Sequence, residues 1–191
     1  IVFTKTDRIP DGAEGDADRV RLQASQQLYA SLGYGVLTVS SRLGIGIDAV
    51  RDRLAGHISV FAGQSGVGKS TLVNALIPGL TLETGEISGK LGRGKHTTRH
   101  VELWELPGGG LVADTPGFSQ LDFAELGIEE IGACFREFRE LSASCKFRGC
   151  THLHEPDCAV KAALARGEAA DSRYASYRDF MAERNEKRRR Y

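Results

Sequence analysis

The chain has 191 residues, 41% of them apolar, enough to bury a core and to form one domain with or without an appendage. Lys+Arg and Asp+Glu balance at 25 each, so bulk charge selects no partner, and no apolar run reaches the length of a membrane span or a secretory leader. Four cysteines, three of them in one short stretch, point away from a disulfide framework and toward a metal site in the reducing environment of the cytoplasm.

Ile1-Val2-Phe3 reads as a strand that runs into Thr4-Lys5-Thr6-Asp7. These four residues resemble the guanine-recognition motif of GTPases, Asn-Lys-x-Asp, with Thr4 in the place of Asn. There the carboxylate accepts from guanine N1–H and the exocyclic amine, and the Lys stem lies over the ring. Adenine offers no such donor pair, so Asp7 would be left as an unpaired charge against ATP. Residues 8–18 are a loop rich in Pro, Gly and Asp, and residues 18–32 form a helix ended by Gly33. Residues 36–39 are the next strand. Ser40-Ser41 at its end resembles the second base-contacting loop of GTPases, which works through backbone N–H groups. Residues 47–54 form a short helix.

Residues 57–62 read as a buried strand and 71–76 as the start of a helix. Between them Gly63-Gln64-Ser65-Gly66-Val67-Gly68-Lys69-Ser70, with Thr71 after it, has the spacing of a glycine-rich phosphate loop. Its glycines let successive N–H groups converge on one point, where the positive end of the helix dipole adds to them. Lys69 would reach the β- and γ-phosphates, and the Ser70 hydroxyl would ligate Mg²⁺.

Residues 83–99, rich in Gly, Lys and Arg, show no hydrophobic period and are expected to be a mobile loop. In a GTPase this is where a switch threonine binds Mg²⁺; Thr98 is the first choice and Thr97 the second. Residues 101–106 alternate as a strand, and residues 111–113 form a buried one ending in Asp114-Thr115-Pro116-Gly117. This is an Asp-x-x-Gly second switch, in which Asp114 holds Mg²⁺ through water and the Gly117 N–H senses the γ-phosphate. Phe118 stands where many GTPases place the glutamine that orients the attacking water, so unaided hydrolysis should be slow. His96 is the nearest residue able to take over that task.

Residues 129–141 place Ile131, Phe135, Phe138 and Leu141 on one helical face, with Cys134 as a buried apolar residue. The stretch Cys145-Lys146-Phe147-Arg148-Gly149-Cys150-Thr151-His152-Leu153-His154-Glu155-Pro156-Asp157-Cys158 then offers three thiols and an imidazole, from His152 or His154. That set suits a closed, structural tetrahedral Zn²⁺ site. Helices follow over 159–166 and 173–190, split at Gly167, and the last carries a basic tail of Arg184, Lys187, Arg188, Arg189 and Arg190.

The order of these motifs is itself informative. The base motif at 4–7 and the serine pair at 40–41 precede the phosphate loop, and the switches follow, an arrangement that resembles the circularly permuted GTPases. With the Cys/His stretch CKFRGCTHLHEPDCAV added, the chain closely resembles the ribosome small subunit-dependent GTPase A family (RsgA, also called YjeQ). The resemblance implies a three-layer α/β/α P-loop fold, a permuted G domain over 1–124, followed by a helical zinc-binding domain over 125–191. It assigns the zinc ligands to Cys145, Cys150, His152 and Cys158, and the family's switch histidine to His96. It implies hydrolysis of GTP to GDP, stimulated by the small ribosomal subunit late in its assembly, with rRNA and the subunit as partners and the protein itself a monomer. Family members also carry an N-terminal OB-fold domain, and in this fold a strand and helix lie between the second switch and the base-motif strand. Neither is found here, so the chain is expected to be a fragment. A P-loop ATPase or kinase, and an RNA-binding fragment without turnover, are the competing readings.

Overall fold

Strand β1 (Val2–Phe3) lies parallel to β2 (Leu37–Thr38), and the chain crosses between them through α1 (Asp16–Ser31), as a parallel pair requires. Asp16 and Asp18 in the first turn of α1 complement its dipole, and Gly33, at φ +78°, follows its end. Residues 1–82, 102–114 and 126–189 are described in this computed structural model, which divides the chain into two units, 1–121 and 122–191.

In the first unit β3 (Ile58–Val60) pairs parallel with β5 (Leu111–Asp114), which takes β4 (Glu102–Glu105) antiparallel on its other side. Among the described residues the sheets β1-β2 and β3-β5-β4 are not hydrogen-bonded to one another. One core nevertheless joins them. Val39, just past β2, packs with Ile47 and Val50 of α2 (Ile47–Leu54), Leu72, Val73 and Leu76 of α3 (Lys69–Leu76), and Val112 of β5. The expectation of a buried strand at 57–62 needs correction: Ile58 is 74% exposed and Val60 51%. Successive strand residues face opposite sides, and only the side of Ser59 and its partner Val112, which is fully buried, meets the helices.

The second unit is helical: α4 (Ile128–Ala133), α5 (Arg136–Ser142), α6 (Ala159–Ala165) and α7 (Asp171–Arg189). The single helix expected over 129–141 is broken, because Phe135 adopts an extended conformation (φ −90°, ψ 113°) and caps α5. The break lets Phe135 and Phe138 both enter the core. Their rings stack at 5.0 Å, and each meets Tyr177 edge-on, at 5.5 and 5.1 Å. Cys134 is thereby left exposed, contrary to its expected burial. A bidentate ion pair ties α5 to α7: Arg173 donates to Glu137 at 2.7 and 3.2 Å while its guanidinium lies 4.5 Å over the Phe135 ring. Arg184, counted in the basic tail by sequence, is 7% exposed, with Nε donating to the Leu126 carbonyl at 3.1 Å. No helix among the described residues is long and apolar enough to cross a membrane.

Candidate nucleotide site and candidate metal centre

The glycine-rich loop connects β3 to α3, so its amides lie at the positive end of a helix dipole. Gly66 and Gly68 have φ of +78° and +99°, which side-chain-bearing residues adopt at a cost, and Gly68 caps α3. Lys69, the first residue of α3, folds back over the loop, its Nζ donating to the carbonyls of Gly63 at 2.6 Å and Gln64 at 2.9 Å. Ser70 and Thr71 follow in the same first turn.

The segment Thr4 to Asp7 is bonded directly to that loop. The Thr4 hydroxyl donates to the Val67 carbonyl at 2.6 Å, and the Lys5 ammonium donates to the Gly66 carbonyl. Lys5 has a φ of +60°, a left-handed conformation that redirects the chain from β1 into a 3₁₀ turn over Thr6–Arg8. Thr6 N–H bonds to the Val39 carbonyl at 3.3 Å, which joins this turn to the end of β2. Asp7 accepts from the Ser40 hydroxyl at 2.6 Å. That bond, helped by the charges of Arg42 and Arg8 and opposed by desolvation, holds the Asp7 carboxyl below its ordinary value.

Ser40 differs from its expected role. Its N–H is bonded to the Ile45 carbonyl at 3.0 Å, so its contribution is the hydroxyl that orients Asp7; that hydroxyl oxygen also accepts from Leu43 N–H at 3.2 Å. Ser41 lines the neighbouring pocket. A pocket of about 180 Å³ is lined by Thr4, Lys5, Asp7, Ser41, Gly68 and Thr71, which brings the base motif, the serine pair and the phosphate loop to one cavity. Arg8 and Arg42 line it too. The sequence reading passed over them, although each directly follows a motif residue. Replacing Thr4 with Ala should weaken GTP and GDP binding alike, by about two- to tenfold, since it removes one hydrogen bond clasping the base motif to the phosphate loop. Calorimetric titration with both nucleotides checks this.

Asp114 ends β5 next to β3, one residue past the Val60–Ala113 pairing that leads toward the phosphate loop. His96, Thr97, Thr98, Gly117 and Phe118 lie outside the described residues.

In the second unit the Sγ atoms of Cys145, Cys150 and Cys158 and a ring nitrogen of His152 lie within 4.8 Å of one another, a group that can hold a metal ion. His152 Nδ1 is 3.6 Å from Cys145 Sγ and 3.4 Å from Cys158 Sγ, and these two sulfurs are 4.0 Å apart. Metal bonds of about 2.3 Å to sulfur and 2.0 Å to nitrogen give tetrahedral edges of roughly 3.8 and 3.5 Å, so the donors fit. His154 is exposed and stands outside the cluster.

The surroundings prepare His152 as a ligand. Its Nε2 lies 3.0 Å from the Ser142 hydroxyl, which itself donates to the Phe138 carbonyl, so Nε2 carries the hydrogen and Nδ1 the lone pair. Burial lowers the His152 pKa, against an opposing pull from Glu155, which favours the neutral ring. Burial also pushes the Cys150 thiol up to about 12, the His152 backbone bond opposing and the Cys158 and Cys145 thiols adding; a cation reverses that preference. Tyr174 and Tyr177 of α7 donate to the carbonyls of His152 and Thr151 at 2.7 and 2.6 Å. Ser142 carries no sequence signal for this part, since only folding brings α5 against the ligand loop.

The family model described as RsgA GTPase matches residues 1–124. The small ribosomal subunit biogenesis GTPase RsgA of Bacillus velezensis is 51% identical over 191 residues, which is 100% of this chain and 63% of that protein. The protein of the same name from Halalkalibacterium halodurans is 57% identical over 155 residues, 81% of this chain and 52% of that one. The crystal structure of YloQ, described as a circularly permuted GTPase, superposes with a TM-score of 0.78 at 40% identity, covering 98% of this chain and 57% of that one. YjeQ from Thermotoga maritima gives 0.75 at 34% identity, covering 95% and 58%. The chain thus spans about six tenths of the length of the first of these relatives.

Proposed function

Because the chain belongs to the RsgA GTPase family and has its circularly permuted fold, we propose that it binds GTP and hydrolyses it to GDP and phosphate in maturation of the small ribosomal subunit. The observation that carries this is the single pocket shared by Asp7 and the phosphate-loop residues Gly68 and Thr71. An anion-binding loop alone would suit ATP equally; a carboxylate in the same cavity suits a base that presents two donors, as guanine does.

In this reading Lys69 and the amides of residues 63–70 neutralise phosphate charge, and Asp7 with the Ser41 backbone reads the base. Ser70, Asp114 and Thr98 would hold Mg²⁺, which neutralises charge at the γ-phosphate; Ser70 in the first turn of α3 and Asp114 at the end of β5 suit that task. Gly117 senses the γ-phosphate, and His96 orients the attacking water in the place of a glutamine. The four-donor cluster takes one structural Zn²⁺, matching its sulfur-rich, closed donor set. We place the G domain at 1–124 and the zinc domain at 125–191, and the protein as a cytoplasmic monomer acting on the subunit and its rRNA. In support of an RNA partner, the cavity of about 530 Å³ that Cys145, Cys150 and His152 line also has Arg139, Lys146 and Arg148 in its wall, and Phe147 is 44% exposed, a cationic and aromatic surface that suits RNA.

The test replaces Asp7 with Asn, which offers one donor and one acceptor and so matches xanthine in place of guanine. GTP affinity should fall about 10- to 100-fold and XTP affinity rise, as expected for one mispaired charged group. Turnover of GTP with and without small subunits completes it. Equal GTP and ATP affinity in the unaltered chain would overturn the assignment.

A further inference from the structure

Residues 150–158 carry three of the four candidate ligands, yet between α5 and α6 they form no regular element. A carboxylate gives them shape. Glu155 Oε1 accepts from the Thr151 N–H at 2.8 Å and the Thr151 hydroxyl at 2.6 Å, and Oε2 accepts from the N–H groups of Leu153 at 3.1 Å and His154 at 3.2 Å. These donors flank His152, which has a left-handed φ of +58°. Burial alone would raise the Glu155 carboxyl, but the bonds from Thr151 and its neighbours bring it down to about 2, so it is a fully charged acceptor at neutral pH.

We propose that Glu155 is a positioning residue for the metal centre: without touching the ion, it forms the left-handed turn that presents His152 Nδ1 to the cysteine sulfurs and holds His154 outside the cluster. The inference rests on reading Cys145, Cys150, His152 and Cys158 as a metal site. Two histidines two residues apart compete for one coordination position. The N–H groups of Thr151, Leu153 and His154 are gathered on Glu155, while Tyr174 and Tyr177 hold the carbonyls of His152 and Thr151 against α7. The segment is therefore fixed in the one register that faces His152 inward. Only a carboxylate can take all four donors, because the amide nitrogen of glutamine would meet a donor at one of its two positions.

Zn²⁺ affinity of the full chain, measured by competition with a chromophoric chelator, tests this. Glu155→Gln should weaken Zn²⁺ about 10- to 100-fold. His154→Ala alone should leave affinity within about twofold, whereas in the Glu155→Gln background it should weaken binding again, the freed loop having recruited His154. A Glu155→Gln affinity within about twofold of wild type overturns the inference, as does a His154→Ala effect that is the same in both backgrounds. If Glu155→Gln does not fold, Thr151→Val decides: it keeps the carboxylate, removes one of its four bonds, and should weaken Zn²⁺ about two- to tenfold, unchanged affinity counting against the role. Failure of the unaltered chain to take up Zn²⁺ would instead overturn the reading of the metal site.

Discussion

With Zn²⁺ loaded on the Cys145, Cys150, His152 and Cys158 cluster, removing it is expected to unfold the second unit. Its helices α4, α5 and α6 have six or seven residues each, well below the roughly 12–15 at which an isolated helix becomes even marginal in water, so they depend on tertiary contacts. One wall of the core they share is the ligand loop itself. Cys158 is buried in the cluster with Ile131, Phe135, Phe138, Val160, Tyr177 and Met181, and Cys145, Cys150 and Leu153 pack against it. Structural zinc sites contribute about 10–16 kcal/mol in isolated finger peptides. Whole domains have stabilities of about 5–15 kcal/mol, so a contribution of that size is comparable to everything such a unit has to spare. A strong chelator should remove one calorimetric transition and much of the helical circular dichroism, and added Zn²⁺ should restore both. A unit that keeps its transition after the metal is gone would show that the aromatic core suffices alone.

Substitution of Lys69 by Ala should raise the dissociation constants of GTP and GDP by about 30- to 150-fold, corresponding to the roughly 2–3 kcal/mol of a charge-assisted bond to phosphate. The side chain has two tasks, because its Nζ also bonds the Gly63 and Gln64 carbonyls and so draws the loop closed over its own helix. Lys69→Arg would not substitute for it: a planar fork suits neither the two converging carbonyls nor a point contact with phosphate. Titration of the variant with either nucleotide checks the loss, and a dissociation constant within about threefold of wild type would show that the loop amides alone hold the phosphates.

Much of this architecture is legible from residue types because the chemistry permits few alternatives. Gly66 and Gly68 occupy backbone conformations that favour glycine, and Cys145, Cys150 and Cys158 approach one another as metal donors do. Thr4, where this chain departs from the motif, is tied to the phosphate loop by its hydroxyl, which donates to the Val67 carbonyl. Periodicity misled where packing decided. The spacing of Ile131, Phe135, Phe138 and Leu141 suits one continuous helix, but turning both phenyl rings toward Tyr177 requires the break at Phe135 and leaves Cys134 outside. Arg184 sits among basic residues that composition assigns to solvent, yet it reaches a carbonyl near the start of α4. The apolar stretch around β3 reads as buried on both sides, although a strand's apolar residues do not reveal which faces are covered, and Ile58 and Val60 are exposed.

Among the described residues, the pocket shared by Thr4, Lys5, Asp7, Ser41, Gly68 and Thr71 draws its lining from residues 4–71. During synthesis, therefore, these groups all leave the ribosome before Asp114 at the end of β5. The permuted order thus completes the lining of this cavity in the growing chain before β5, the strand that β3 pairs with, has been made.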